Sequence, residues 1–155
     1  MIVRKAKIKD ADNITNLNYL LMKYHEKLDK YYNINKDHSK ICSKYVKKLI
    51  RSKNALVLVA EVNGKIVGTM YGSIKKRPPV MKVKKFGHLG DAFILKKYRK
   101  RGIGGKLTKE LMKWFKSKRV EFVELEVDVR NKIGLKSWKR LGFKSFMIKM
   151  KKPVK

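Results

Sequence analysis

The opening third of the chain shows a helical repeat of apolar positions after a short extended start. Residues 2–8 predict a strand, and Asp10 is a suitable N-cap for the helix that follows. Apolar side chains recur at helical spacing over residues 14–28. A polar break at residues 33–39 then separates this helix from a second one, predicted around residues 41–50.

The pattern next changes to one typical of strands. The β-branched run at residues 55–62 is followed by an Asn-Gly pair, a strong hairpin signal, and residues 65–74 predict the returning strand. Residues 75–85 are basic and contain two adjacent prolines, which do not fit a central strand. This segment is therefore predicted to be a loop.

The second half alternates between strands and helices. Strands are predicted at residues 87–95, 122–129 and 143–150, and helices at 103–115 and 132–141. The predicted order is β-α-α-β-β-β-α-β-α-β, a mixed α/β domain with an antiparallel first half and a βαβ unit in the second. No linker or repeat divides the sequence, so residues 1–155 are expected to form a single domain.

The charge adds a question about partners. The chain has 42 Lys and Arg against 12 Asp and Glu, a formal net charge of +30. This excess suits an acidic partner such as RNA, a ribosome or DNA. It equally suits a Lys-rich proteome, or a high-salt cytoplasm that screens self-repulsion. Both interpretations stay open.

Cysteine content and hydropathy restrict the classes of protein to which the chain can belong. Cys42 is the only cysteine, which excludes an internal disulfide and metal sites built from cysteine pairs. No metal is expected. The N-terminus does not resemble a signal peptide, and the longest apolar run is too short for a bilayer. We therefore expect a cytoplasmic protein without a membrane partner.

A basic, glycine-rich turn follows the strand predicted at residues 87–95. Residues 99–106 suit phosphate, because glycines let an anion approach the backbone and the first N–H groups of a helix lack partners. Leu107 stands where a Walker A loop needs Ser or Thr, and where a dinucleotide fingerprint needs its third glycine. Both of those sites are excluded. A general anion site and a solvated helix start remain.

The spacing Arg99-x-x-Gly102-x-Gly104 resembles the acetyl-CoA signature (Gln/Arg)-x-x-Gly-x-(Gly/Ala) of the Gcn5-related N-acetyltransferase (GNAT) family. Further segments resemble the family in the same order, most strongly over residues 87–143. They are the opening strand with Asp10-Ala11, the segment 91–95, Val127, Asn131, Trp138 and the ending Leu141-Gly142-Phe143. The resemblance implies an α/β, GNAT-like acyl-CoA N-acyltransferase fold, with a mixed sheet of six to seven strands flanked by four helices.

The resemblance also implies acetyl-CoA as co-substrate. The strand before the turn would pair with the pantetheine arm through Phe93, Ile94 and Leu95. The turn would hold the pyrophosphate through Arg99, Lys100, Arg101, Gly102, Ile103, Gly104, Gly105 and Lys106. Asn131 would contact the cofactor arm by its side-chain amide. The same asparagine also suits an N-cap of the helix predicted at residues 132–141.

The implied reaction is direct attack of an amine on the thioester. It needs a base, because an alkylammonium group has a pKa of about 10. Asp91 stands where the family often places a carboxylate and is the candidate base; the alternative is a hydrogen-bonded acid at a strand bulge. His88 is a weaker candidate, against an ordinary surface histidine. A backbone N–H near Ile94 would stabilise the oxyanion of acyl transfer.

The general acid departs from the family pattern. Trp138 occupies the position of the usual Tyr, and an indole N–H does not release a proton at useful pH. A thiol with a pKa of about 8.5 is a tolerable leaving group unaided. Ser137, Tyr98 or water would otherwise substitute, or catalysis would be weak.

Two classes of function follow. The first is an N-acetyltransferase acting on a protein N-terminus, a lysine or a small amine, for which a ribosome-associated or nucleic-acid-associated substrate would suit the charge. The second is a GNAT-like module with little catalysis that binds RNA, a ribosome or another acidic partner through residues 75–85 and 96–101. The oligomeric state is not defined, although a dimer is plausible.

Three acidic residues near the end of the chain have two interpretations. Glu124, Glu126 and Asp128 share one face of the predicted strand. They form either an acidic pocket for a cationic acceptor or a polar face neutralised by nearby lysines, and the second is favoured.

Overall fold

The structure, a computed structural model, describes residues 1–154. Five strands lie side by side in chain order, namely β1 (Ile2–Lys5), β2 (Ala55–Val62), β3 (Lys65–Lys76), β4 (Lys85–Ile94) and β5 (Val123–Glu124). Four helices accompany them, namely α1 (Ala11–Glu26), α2 (His38–Arg51), α3 (Ile103–Ser117) and α4 (Lys132–Arg140). The mixed α/β class and the number of helices are confirmed.

The sheet is buried on both faces because β2 and β3 carry apolar residues on both. Leu58 and Ala60 of β2 face α3, whereas Val57 and Val59 face α1 and α2. This explains the continuous apolar run at residues 55–60 of β2, since a strand covered on both sides has no polar face. The two helical layers thus pack on opposite sides of one sheet.

Helix α3 connects two parallel strands. The first four strands are antiparallel neighbours, and β4 pairs with β5 in parallel. The crossover buries one stripe of α3 against the sheet: Ile103, Leu107, Leu111 and Phe115 are each at most 2% exposed. The start of α3 is therefore held firmly just beyond the end of β4.

The sheet has five strands, so the expectation of six to seven was wrong. Residues 144–154 make no backbone-to-backbone hydrogen bond within the described chain. Their apolar residues Phe146, Ile148 and Met150 are 71%, 84% and 88% exposed. The alternating pattern at residues 143–150 predicted a strand, but a strand forms only where a neighbouring edge pairs with it.

The strand predicted at residues 122–129 is also shortened, to Val123–Glu124. It pairs with β4 at Gly87 and His88, and the pairing ends there. The basic loop predicted at residues 75–85 is shorter in the structure and covers residues 77–84. The reason is that β3 and β4 stay paired as far as Lys76 and Lys85.

Asp10 precedes α1 as predicted, but its carboxylate does not cap that helix. It accepts the backbone N–H of Lys7 at 2.7 Å and a guanidinium N–H of Arg4 at 2.7 Å. Arg4 also donates to Glu61 on β2. These contacts and a 3-10 turn at Ile8–Asp10 end the first strand at Lys5, earlier than the predicted residue 8.

None of the helices in residues 1–154 is both long enough and apolar enough to cross a membrane.

The packing of α3 predicts a large difference between two phenylalanines. Phe115→Ala should lower the free energy of unfolding by about 3–5 kcal/mol, because a core aromatic that is 1% exposed would leave a cavity. Phe122→Ala is the matched control, since Phe122 is 57% exposed and its loss should cost less than about 0.5 kcal/mol. Urea denaturation measures both. Equal losses would show that α3 does not pack as described.

Candidate active site

The edge of β4 is open where the pantetheine arm was predicted to bind. On one side β4 pairs with β3 along its length, but on the other its pairing with β5 stops at His88. Residues 89–94 therefore have no strand beside them on that side within the described chain. Ile94 directs its N–H to this open edge, whereas Phe93 stands in the hydrogen-bonded pair with Thr69 and the N–H of Leu95 bonds to the carbonyl of Val67 on β3. Such an edge offers main-chain donors and acceptors to an extended ligand.

A β-bulge lies on the same strand at Asp91. Asp91 and Ala92 together stand opposite the single residue Met70 of β3. Asp91 has a φ of 42°, in the left-handed region that few residues other than glycine adopt. The bulge breaks the alternation of side chains along β4 and turns Asp91 toward α1. The prediction of a hydrogen-bonded acid at a bulge describes this position well.

The Asp91 carboxylate contacts the helical layer formed by α1 and α2. Asn18 of α1 donates from Nδ2 to Asp91 Oδ2 at 3.1 Å. Burial raises the pKa of Asp91, while the hydrogen bond from Asn18 and the nearby His38 act in the opposite direction. The net result is a carboxyl group more basic than an exposed aspartate.

His88 does not share this hydrogen bond. It stands opposite Ser73 of β3 and Glu124 of β5. Burial lowers the pKa of His88, and the neighbouring Lys75 lowers it further. The structure thus places His88 between β3 and β5, apart from the hydrogen bond that joins Asp91 to α1.

The basic turn is fastened to the end of β4 by Arg99. Its Nε donates to the carbonyl oxygen of Ile94 at 2.8 Å, and its guanidinium lies 5.3 Å from the centre of the Phe93 ring. Lys100 and Gly102 have φ values of 61° and 73°, so the turn between them is tight. The first residue of the signature thereby holds the turn against the open edge.

Helix α3 begins without a side-chain cap. Gly102 is its N-cap, and the first intrahelical bond runs from the N–H of Lys106 to the carbonyl of Gly102 at 3.1 Å. The N–H groups of residues 103–105 therefore lack intrahelical acceptors and form a favourable position for an anion. A side chain built on Gly104 would meet only Ile94, at 3.5 Å, so the space beside this backbone is free.

A basic groove of about 540 Å³ lies along α4. Its lining residues are Lys132, Leu135, Lys136, Lys139 and Arg140. The end of α4 adjoins the turn, because a Cβ on Gly105 would lie 3.8 Å from the side chain of Leu141. The residue that follows α4 therefore lies beside the first turn of α3.

Asn131 caps α4. Its Oδ1 accepts the N–H of Gly134 at 2.8 Å and the hydroxyl of Tyr24 at 3.1 Å. The helix-capping interpretation is confirmed, and the Nδ2 group makes no side-chain hydrogen bond within the described residues. Trp138 packs edge-on against Phe143, with ring centres 5.4 Å apart.

The late acidic residues are paired with cations. Glu124 pairs with Arg77, Glu126 with Lys149, and Asp128 with Arg130. Asp128 also accepts the hydroxyl of Tyr32. The favoured interpretation of a neutralised polar face agrees with these contacts.

Sequence reasoning missed the residues contributed by the first two helices. Three residues of this kind form hydrogen bonds in the candidate site, namely Asn18, Tyr24 and His38. They are distant in the sequence from their partners; Asn18, for example, is 73 positions from Asp91. Asn18 and Tyr24 lie within the helical stretch predicted after Asp10, and His38 falls in the polar break. No local pattern distinguishes them from ordinary helix and loop residues.

Comparison with known proteins defines the class. The acetyltransferase (GNAT) family model matches residues 17–143. The chain is 29% identical over 154 residues to an N-alpha-acetyltransferase of Sulfurisphaera tokodaii, covering 94% of this chain and 81% of that relative.

Solved structures share the fold. A tetramutant protein of Bacillus halodurans superposes with a TM-score of 0.89 at 20% identity, covering 99% of this chain and 100% of that one. A predicted acetyltransferase of Clostridium acetobutylicum, solved with acetyl-CoA, gives a TM-score of 0.79 at 19% identity over 98% of this chain and 95% of that one.

The chain therefore belongs to the GNAT family of acetyltransferases. It is an N-acetyltransferase, and the resemblance inferred from the ordered motifs is confirmed.

Proposed function

We propose that this enzyme transfers the acetyl group of acetyl-CoA to a primary amine by direct attack within a ternary complex. The observation that carries the proposal is the continuity of two features: the open edge of β4 ends at the basic turn, and the turn leads into the uncapped start of α3. An extended arm and a phosphate group in one ligand would fit these two features in that order. The Clostridium acetobutylicum structure with acetyl-CoA, which has the same fold, supports this choice of co-substrate.

The residues present fit acetyl-CoA, which would supply an activated acetyl thioester. The open edge of β4 at residues 89–94 would pair with the pantetheine arm, and we assign the oxyanion contact to the outward-facing N–H of Ile94. The N–H groups of residues 103–105 would hold the pyrophosphate, with Arg101 and Lys106 adding positive charge. The basic groove on α4 suits the remaining phosphate of a nucleotide. The free Nδ2 of Asn131 would bind the arm.

Asp91 is the proposed general base. The acceptor must lose a proton before its nitrogen can attack, and a partly buried carboxylate with a raised pKa takes that proton more readily than an exposed one. His88 remains the weaker candidate because it lacks the hydrogen bond to α1 that orients Asp91.

The CoA thiolate that leaves in this reaction has less need of a general acid than the attacking amine has of a general base. Trp138 packs against Phe143 and cannot act as an acid. Ser137 donates its hydroxyl to the carbonyl of Ile133, which engages it within α4. Because a thiol has a pKa of about 8.5, departure without a dedicated acid is chemically reasonable. Tyr24, whose phenol donates to Asn131, joins Tyr98 and water as a further proton source.

A protein N-terminus is the proposed acceptor. The Sulfurisphaera tokodaii relative is an N-alpha-acetyltransferase. An α-amino group has a pKa of about 7.7–8.0, so it needs far less assistance from a base than a lysine at about 10.4. A single carboxylate such as Asp91 is sufficient for that task. The late acidic residues are already neutralised by Arg77, Lys149 and Arg130, so a further cationic group on the acceptor finds little attraction there.

The unneutralised positive charge supports a second proposal, that the enzyme associates with nucleic acid. Among residues 1–154, nine ion pairs engage only seven basic residues but eight of the 12 acidic ones. The β3–β4 loop adjoins the end of α3, because Lys85 donates to the carbonyl of Lys118 at 2.7 Å. The strand ends, the loop between them and the end of α3 contain basic residues outside these ion pairs, namely Lys75, Lys76, Lys82, Lys84, Lys85, Lys116, Lys118 and Arg119. Such a surface suits a phosphate backbone.

Replacement of Gly104 tests the binding of acetyl-CoA. Gly104→Val should reduce affinity at least tenfold, because the branched side chain would occupy the space in which a phosphate approaches the backbone. Gly104→Ala is the matched control, since the GNAT signature accepts Ala here, and it should bind normally. Calorimetry with acetyl-CoA measures affinity, and thermal unfolding should show both variants folded. Wild-type affinity in Gly104→Val would contradict the assigned phosphate position.

Replacement of Asp91 tests the base. Asp91→Asn should lower kcat/KM by about 10²–10⁴-fold, the usual contribution of general base catalysis, while acetyl-CoA affinity is retained. The assay follows CoA thiol release with a peptide that has a free N-terminus. The same peptide with a blocked N-terminus and an internal lysine tests the acceptor. Asp12→Asn, at an exposed position on α1, is the control. Full activity of Asp91→Asn would exclude Asp91 as the base.

Charge reversal tests the nucleic-acid proposal. Affinity for a single-stranded RNA oligonucleotide should fall linearly on a log–log plot against salt, with a slope of about 0.7 for each phosphate that the protein neutralises. Lys82→Glu with Lys84→Glu should reduce the slope. Lys40→Glu with Lys44→Glu, which makes the same change of charge at exposed positions of α2, should affect it less. Equal effects of the two pairs would mean that net charge alone attracts the RNA.

A further inference from the structure

Asp91 is held by a pair of side chains that belong to neither the signature turn nor the open edge of β4. Asn18, in the middle of α1, is 9% exposed and donates to Asp91 Oδ2 at 3.1 Å. His38, the first residue of α2, lies with its Nε2 2.6 Å from Asn18 Oδ1. The three residues form one chain of hydrogen bonds that runs from β4 through α1 to α2.

The partners determine the orientation of the Asn18 amide. A carboxylate only accepts hydrogen bonds, so the Asn18 group facing Asp91 must be the NH₂ group. The amide oxygen then faces His38, and His38 Nε2 must carry a hydrogen to donate to it. A neutral Nε2–H tautomer and a protonated imidazole both meet this requirement. His38 therefore prevents Asn18 from turning its oxygen toward the carboxylate.

We propose that Asn18 and His38 are positioning residues for the catalytic carboxylate, with His38 acting through Asn18. The inference rests on the proposed function, in which Asp91 is the base. Within residues 1–154 the one side-chain hydrogen bond to the carboxylate goes to Oδ2. The carboxylate also interacts with its own backbone N–H. In the proposed reaction Oδ1, which no side chain engages, accepts the proton of the acceptor amine. The pair also holds the left-handed bulge residue against α1, which keeps the carboxylate in one orientation.

The titratable groups facing Asp91 come from α2 and β3. Cys42 and His38 approach from α2, and Tyr71 approaches from β3. The hydroxyl oxygens of Tyr71 and Tyr45 are 3.3 Å apart. Burial raises the pKa of Cys42 and that of Tyr71, so both stay uncharged near neutral pH. On the α1 side the neutral amide of Asn18 donates to the carboxylate. Loss of this donor removes an interaction that favours the ionised form, so the pKa of Asp91 should rise.

The test is the pH dependence of kcat/KM in four variants. Asn18→Ala should move the acid limb of the pH profile of kcat/KM to higher pH, because the carboxylate no longer accepts a hydrogen bond that favours its charged form. On that limb kcat/KM should fall about tenfold or more. His38→Ala should move the limb in the same direction by a smaller amount. His38→Gln, which keeps an N–H donor, should restore much of the wild-type profile. Asn13→Ala, exposed on the same helix, should change nothing.

The readouts separate this inference from the proposed function. Acetyl-CoA affinity and thermal unfolding should remain close to wild type in His38→Ala and His38→Gln, because His38 is only half-buried at a helix start. If Asp91→Asn is inactive but His38→Ala and Asn18→Ala keep the wild-type acid limb, the positioning role is wrong and Asp91 remains the base. A uniform loss at all pH values, without recovery in His38→Gln, would likewise overturn it. Full activity of Asp91→Asn would instead remove the proposed function.

Discussion

The candidate site depends on how far β4 pairs with each of its neighbours. Backbone hydrogen bonds to β3 hold β4 along its whole length, whereas the parallel pairing with β5 ends at His88. The chain beyond β5 no longer pairs with β4, and the unpaired edge of β4 includes the bulge at Asp91. A sheet that continued its pairing would bury this edge and leave no main-chain groups for an extended ligand. The same incomplete pairing therefore limits the sheet and creates the site.

The two helical layers contribute different parts of this site. On one face, the buried stripe of α3 anchors a helix start whose N–H groups lack partners, next to the basic groove of α4. On the other, α1 and α2 supply Asn18 and His38 to the carboxylate. In the proposed reaction the α3 layer holds the acyl donor and the α1–α2 layer prepares the acceptor. The bulge at Asp91 connects the layers, because it turns one residue of β4 out of the regular alternation.

The charge of the protein is distributed unevenly between structural and free groups. Most acidic residues are already engaged by basic ones, often at junctions, as where Arg4 joins Asp10 to Glu61 and Arg130 joins Asp29 to Asp128. These pairs connect segments distant in the sequence. Because acidic residues are few, many basic side chains have no carboxylate partner, and the resulting positive field favours phosphate-bearing ligands near the basic turn and at the β3–β4 end.

The amino-acid sequence by itself determined the elements with a strong local signal. The stripe of α3, the hairpin of β2 and β3 and the ordered motifs around Arg99, Gly102 and Gly104 identified the mixed α/β class and the family, because periodicity and turn chemistry act over a few residues. Only the tertiary structure decided where pairing stops. Residues 143–150 alternate like a strand, yet from residue 144 on they make no backbone-to-backbone hydrogen bond within residues 1–154. Asn18 and His38 reach Asp91 only through folding. Strand partners and contacts across tens of residues depend on the packed arrangement of the whole chain, which no local pattern encodes.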